Sequence, residues 1–233
     1  MRERDFFVGR SAAIAENGMA ATAHPLATLT ALDVLRAGGN AVDAAIAAMA
    51  HLCVIEPHST GIGGDAFAIL AKEGAAPIGL NGSGRAPAAA TLDWYREHGI
   101  AEIEVPTAHA VTVPGAVDAW CRLHGDHGSK PLEELLAPAI RSAREGFVLT
   151  PRVAHDWARL VDKLAIDPVT AARFLPGGRA PRVGERFVQP ELARTFEAIA
   201  RYGRAGFYES WVAEDLVARL KARGGLQIGR AHV

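Results

Sequence analysis

The sequence predicts an α/β protein with a layered core. Apolar patterns of helical period alternate with short apolar runs bounded by Gly, Pro and Asn, so helices and strands interleave. Alanine and glycine are abundant while aromatics are only 6% of the 233 residues. Small side chains let helices pack close to a sheet. One stretch, residues 38–67, runs a cap, an apolar helix, a glycine loop and a strand together without spare residues. It is expected to be the inner framework of an active-site wall.

Residues 1–17 carry little periodicity and read as an arm or edge. Met19-Ala20-Ala21-Thr22-Ala23 predicts a first strand, ended by His24-Pro25. Pro25 suits the first turn of a helix, and Leu26, Leu29, Leu32 and Leu35 give it a period of three to four. Gly38-Gly39 stops it.

Asn40 is an N-cap, and Asp43 three residues on can close a capping box. From 41 to 55 nearly every side is small and apolar. A helix apolar all round is buried on several faces, here between a sheet and another helix. Pro57 closes it. After Gly61-Ile62-Gly63-Gly64, residues 66–71 predict a strand and 77–81 its hairpin partner. Thr91 caps a helix containing Trp94 and Tyr95. Residues 111–115 predict a strand broken by Pro114, followed by a helix through Trp120 and Leu123.

Residues 124–128 read as a turn, and 131–144 as an amphipathic helix that Pro138 should kink or split. A short helix is expected at 152–164 and an exposed loop at 175–184. Pro190 opens a helix to about Ala200, residues 202–208 form a turn with aromatic anchors, and 212–223 form the last helix.

Composition bounds the function. Apolar residues are 49% and charged residues 22%, as in globular proteins. A formal net charge of −1 leaves no general field for nucleic acid or an anionic membrane. The 41–55 run contains Asp43 and His51 and is too short and polar to span a bilayer. No secretory signal is visible, so a cytoplasmic location is expected. Cys53 and Cys121 read as buried, inert thiols.

Few residues invite chemistry. The glycine loop follows a helix and precedes a strand, the reverse of a phosphate-binding loop, and no Gly-Lys-Ser/Thr follows it. Gly63 and Gly64 instead offer free backbone N–H groups or close approach to a ligand. Asp65 either caps that loop or orients a substrate amine or a neighbouring side chain. Arg85, between Gly84 and Ala86-Pro87, is either a planar clamp for a carboxylate or a surface or salt-bridged arginine. His124 and His127 lack a third ligand at a telling spacing, so no metal or other cofactor is expected.

Spread along residues 10–225, several segments resemble one family in a single register. They include Gly38-Gly39-Asn40-Ala41-Val42-Asp43-Ala44-Ala45, Gly61-Ile62-Gly63-Gly64-Asp65-Ala66-Phe67, Val113-Pro114-Gly115 and Gly206-Phe207-Tyr208. Ala86-Pro87 and Pro138-Ala139-Ile140 fall between them in the expected order. Together these resemble the large-subunit side of the gamma-glutamyltransferase family of N-terminal-nucleophile hydrolases.

The resemblance implies a self-cleaving precursor and a four-layer αββα sandwich built from two subunits. Its nucleophile would be a threonine opening the small subunit, with its own α-amino group as base. No threonine here stands in that context, so no catalytic residue is expected in this chain. The partner the resemblance implies is a small subunit carrying the threonine, and the substrate would be a small amide. Residues 1–226 would be the large-subunit portion. Residues 227–233 depart from the family pattern and read as a truncation or an unrelated tail.

The resemblance also places Asn81, Ser83, Gly84 and Arg85 along the acyl pocket, with Asp65, Gly63 and Gly64 behind them. In members that take glutathione, an arginine three residues before Ala-Pro clamps the glutamyl carboxylate. Ser83 stands there in this sequence, and Asp65 stands where the transferases more often carry glycine. Both departures resemble the amidohydrolase and acylase branches. Arg85 then substitutes for the lost cation, or the substrate lacks a glutamyl carboxylate.

Overall fold

The computed structural model describes residues 12–105 and 107–226. The proposed arm at 1–17 therefore lies largely outside the described residues, and the tail at 227–233 wholly so.

Helices α1 (Pro25–Arg36) and α2 (Ala41–Ile55) pack on each other at the start of the chain. His24 caps α1 through its Nδ1, with Pro25 in the first turn. Asn40 and Asp43 form the expected reciprocal capping box on α2. The buried helix is confirmed, but its surroundings differ from expectation. Among the described residues it lies against the helices α1, α4 (Ala116–His127) and α5 (Leu132–Glu145) rather than between a helix and a sheet. The reason is the size of the sheet. Strands β1 (Ala66–Leu70) and β2 (Ile78–Gly82) form an antiparallel hairpin, and this pair packs on α4 instead.

The strand expected at 19–23 pairs with nothing among the described residues. Instead the Thr22 hydroxyl donates to the His24 carbonyl, making the segment a lead-in to α1. Residues 111–115 form no ladder either. Pro114 has no N–H to give, while Val113 donates to the Arg85 carbonyl at 2.9 Å and Gly115 to the Gly64 carbonyl at 3.0 Å. The expected turn at 124–128 is the last turn of α4, supported by the Arg122–Asp126 pair four residues apart. Helix α5 runs through Pro138 as one element, held on both sides by α2 and α9 (Pro190–Tyr202).

Between α5 and α9, Phe147–Val148 (β3) pairs with Arg186–Phe187 (β4) in a second small antiparallel sheet. The single helix expected at 152–164 is two, α6 (Pro151–Ala158) and α7 (Val161–Ala165). Helix α8 (Pro168–Phe174), capped by Asp167, follows them. In the expected exposed loop, Leu175 is buried. The aromatic turn is a short helix, α10 (Ala205–Tyr208), and α11 (Trp211–Lys221) closes the described chain. The core is helical, centred on Trp157, Phe196, Phe207, Leu135 and Leu136. Among the described residues no helix is long and apolar enough to cross a membrane.

Candidate active site

Four of the expected site residues converge on one cavity of about 130 Å³. Asn81, Ser83, Gly84 and Arg85 line one side, on the end of β2 and the segment after it. Residues 113–115 and Asp118, at the start of α4, line the other. Glycine is required where the two sides meet. A Cβ on Gly115 would lie 2.2 Å from the Gly82 carbonyl oxygen, and one on Gly84 would lie 2.0 Å from the Val113 carbonyl oxygen.

The post-β2 turn is held by side chains. Asn81 Oδ1 accepts from the Ser83 N–H at 2.9 Å, an Asx turn. Asp65 Oδ1 accepts from the Gly84 N–H at 2.9 Å. This bond is neither of the two roles expected for Asp65: it fixes the backbone of the cavity wall, 19 residues downstream. The Arg85 guanidinium is exposed and makes no hydrogen bond or ion pair among the described residues. A salt-bridged Arg85 is not what the described residues show, and an exposed, unpaired guanidinium fits both the surface arginine and the carboxylate clamp.

Gly64 joins the glycine loop to the far wall. Its carbonyl accepts from both the Gly115 and Ala116 N–H groups, at 3.0 and 2.9 Å. Stretch 38–67 therefore reaches the cavity wall at its end, through Gly64, Asp65 and the start of β1, where Ala66 and Phe67 pair with Gly82 and Asn81. Gly63 has open space on its side-chain side and lines no part of the cavity.

The thiols are excluded as nucleophiles. Burial pushes Cys53 up to about 12 and Cys121 up to about 11, so neither is a thiolate at neutral pH. No group of three His, Cys, Asp or Glu among the described residues could hold a metal ion. His124 is occupied with the Lys130 carbonyl at 2.8 Å.

The profile of the family described as Gamma-glutamyltranspeptidase matches residues 27–228. The chain belongs to the gamma-glutamyltranspeptidase family. It is 37% identical over 207 residues to the glutathione hydrolase-like YwrD proenzyme of Bacillus subtilis, covering 88% of this chain and 39% of that protein. To the oxamate amidohydrolase proenzyme of Klebsiella pneumoniae it is 37% identical over 219 residues, covering 92% of this chain and 41% of that protein. Cephalosporin acylase from Bacillus halodurans superposes with a TM-score of 0.88 at 42% identity, over 95% of this chain and 42% of that one. The α/β fold is thus that of this family's N-terminal-nucleophile hydrolases. The chain spans about two fifths of the length of these relatives.

Sequence reasoning missed Asp118, Tyr208 and Arg204. Tyr208 Oη donates to the Pro114 carbonyl at 2.7 Å and accepts from the Asp118 N–H at 3.0 Å. Arg204 Nε donates to Asp118 Oδ1 at 2.5 Å. The signal was present: a tyrosine in an apolar Gly-Phe-Tyr anchor must spend its hydroxyl on some partner.

Proposed function

We propose that residues 1–226 are the large-subunit portion of an amide hydrolase or acyltransferase, and that the cavity at 81–85 seats the acyl group. One observation carries this: an unpaired Arg85 guanidinium stands beside Ser83, Gly84 and Asn81 at a cavity in a chain whose relatives are named proenzymes. The remainder of the protein supplies the nucleophile, a threonine with a free α-amino group. Its hydroxyl attacks the amide carbon and passes its proton through that amine to the leaving nitrogen. The acyl ester is then released to water or to a second amine.

Ser83 removes the cation that would hold a glutamyl carboxylate in the glutathione-using pattern, and Arg85 supplies one two residues later. A non-glutamyl acyl group, closer to the amides that the oxamate amidohydrolase and cephalosporin acylase names indicate, fits that change.

The small subunit seats on the exposed face of the β1–β2 hairpin, where Phe67 is 69% and Ile69 84% exposed. The test uses the complete protein with a γ-glutamyl anilide, oxamate and an N-acyl cephalosporin. Turnover of one of these is expected, with Arg85→Ala raising KM about tenfold and leaving kcat near its original value. Unchanged kinetics in Arg85→Ala would remove Arg85 from the site. Turnover by residues 1–226 alone would defeat the missing-nucleophile reading.

A further inference from the structure

We propose that Tyr208 is a positioning residue for the acyl cavity, its hydroxyl locking residues 113–118 as the wall that faces residues 81–85. The proposal rests on reading that cavity as the acyl site.

The argument begins at the first turn of α4. A helix opens with N–H groups that no earlier turn can satisfy, and a side chain at the N-cap normally accepts one of them. The N-cap here is Gly115, which has no side chain to offer. Two of those N–H groups are met from elsewhere. Ala116 donates to the Gly64 carbonyl, and Asp118, three residues past the cap, donates to Tyr208 Oη. The same hydroxyl donates its own proton to the Pro114 carbonyl on the other side of the cap. One oxygen from a position 90 residues away thus bridges the extended segment and the helix it becomes.

That oxygen has little freedom. The Tyr208 ring is 2% exposed and packs edge-on to Phe207 at 4.9 Å. The Arg204 guanidinium lies 4.8 Å over the ring while its Nε holds Asp118, itself a cavity residue. Burial raises the Tyr208 phenol to about 12, so the donated proton is present throughout the neutral range.

The wall that Tyr208 fixes touches the opposite wall directly. At Gly84 and Gly115 the backbones of the two sides approach too closely for a Cβ, with the Thr112 side chain packed against Gly84 and the Ala119 Cβ against Gly82, so a shift of one side has little room to be absorbed. Any movement of Pro114 and Gly115 is therefore passed to the turn carrying Ser83 and Arg85. A tyrosine that only filled the core would need neither of its two hydrogen bonds to fall on this wall.

The test compares Tyr208→Phe with Trp157→Phe in the complete enzyme. Trp157 also gives up one buried hydrogen bond, from Nε1 to the Phe174 carbonyl, but lies outside the cavity wall. Both variants should melt at lower temperature. Only Tyr208→Phe should raise KM, about tenfold with kcat changed less than about threefold. Only Tyr208→Phe should speed amide hydrogen exchange at residues 82–85 and 113–118. A Tyr208→Phe enzyme that loses melting temperature while KM and local exchange stay at wild-type values overturns the proposal.

Should Tyr208→Phe not fold, Arg204→Gln keeps the hydroxyl and frees Asp118, and it should give a smaller change of the same kind. No change in either readout there also overturns the proposal. A wild-type enzyme that turns over no amide would sink the acyl-site reading instead. The exchange comparison would still decide whether Tyr208 holds this wall.

Discussion

Asp43 is fully buried without a cation, and its surroundings explain how. Its carboxylate accepts from the Asn40 N–H, the Ser129 N–H and hydroxyl, and the Lys130 N–H. Burial alone would push its pKa up, but these bonds outweigh it and hold it below the ordinary carboxyl value. Its contribution to stability is complete above pH ~4 and is lost as the pH falls through the lowered value. Asp43→Ala should cost about 3 kcal/mol in a urea titration, because it leaves buried donors unmet.

His51 titrates in a higher window. Both its ring nitrogens are used, Nδ1 with Thr30 Oγ1 and Nε2 with Ser142 Oγ, each at 2.8 Å. Burial, with His24 and Arg141 nearby, lowers its pKa to about 4. The neutral ring is the folded form, so stability falls as pH drops from about 6.5 toward 4 and the unfolded chain takes up the proton. The loss should be on the order of 3 kcal/mol. His51→Gln should flatten this part of a plot of denaturation midpoint against pH, and a plot unchanged by the substitution would show that another group carries it. The Asn40–Asp43 box was legible because its partners are three residues apart. The bond from Ser129, 86 residues on, was not, and neither was the environment that keeps His51 neutral.

At the scale of elements, local chemistry made most helices legible. The caps on α2 and α3 (Leu92–Glu97) lie next to the residues they satisfy. Long-range support is what escaped. Residues 111–115 have the composition of a strand, yet Pro114 and the tight glycine contacts leave them as a wall segment. Helix α4 outlasts its predicted end because an ion pair supports a turn containing Gly125. Of the candidate site, the 81–85 side was legible and the 113–118 side was not, since the second is assembled from Gly64, Tyr208 and Arg204. Gly115 has ordinary helical dihedrals, so alanine there meets no conformational penalty. The cost is purely steric, from the 2.2 Å approach of a Cβ to the Gly82 oxygen. Gly115→Ala should destabilise by about 2 kcal/mol or more and reduce activity, whereas Gly125→Ala, with open space around it, should not destabilise at all.

At the scale of the whole molecule, the hairpin is the least self-sufficient part. A two-stranded sheet is marginal in water, and this one buries only the face it turns toward α4. Phe67 and Ile69 point the other way, with Asn81 directly across from Phe67 on the same face. On the proposal that a partner subunit seats on this apolar face, the face continues into the cavity wall, so docking and completing the site would be one event. This gives a test that separates assembly from folding. Ile69→Glu places a charge where the partner's apolar atoms would lie, which is expensive once buried and nearly free while exposed. In the complete protein it should abolish the two-subunit species on size exclusion and, with it, activity. Lys72→Glu, in the exposed turn between the strands, reverses a charge without entering that face and should leave both intact. Equal effects from the two substitutions would mean that the hairpin face does not seat the partner.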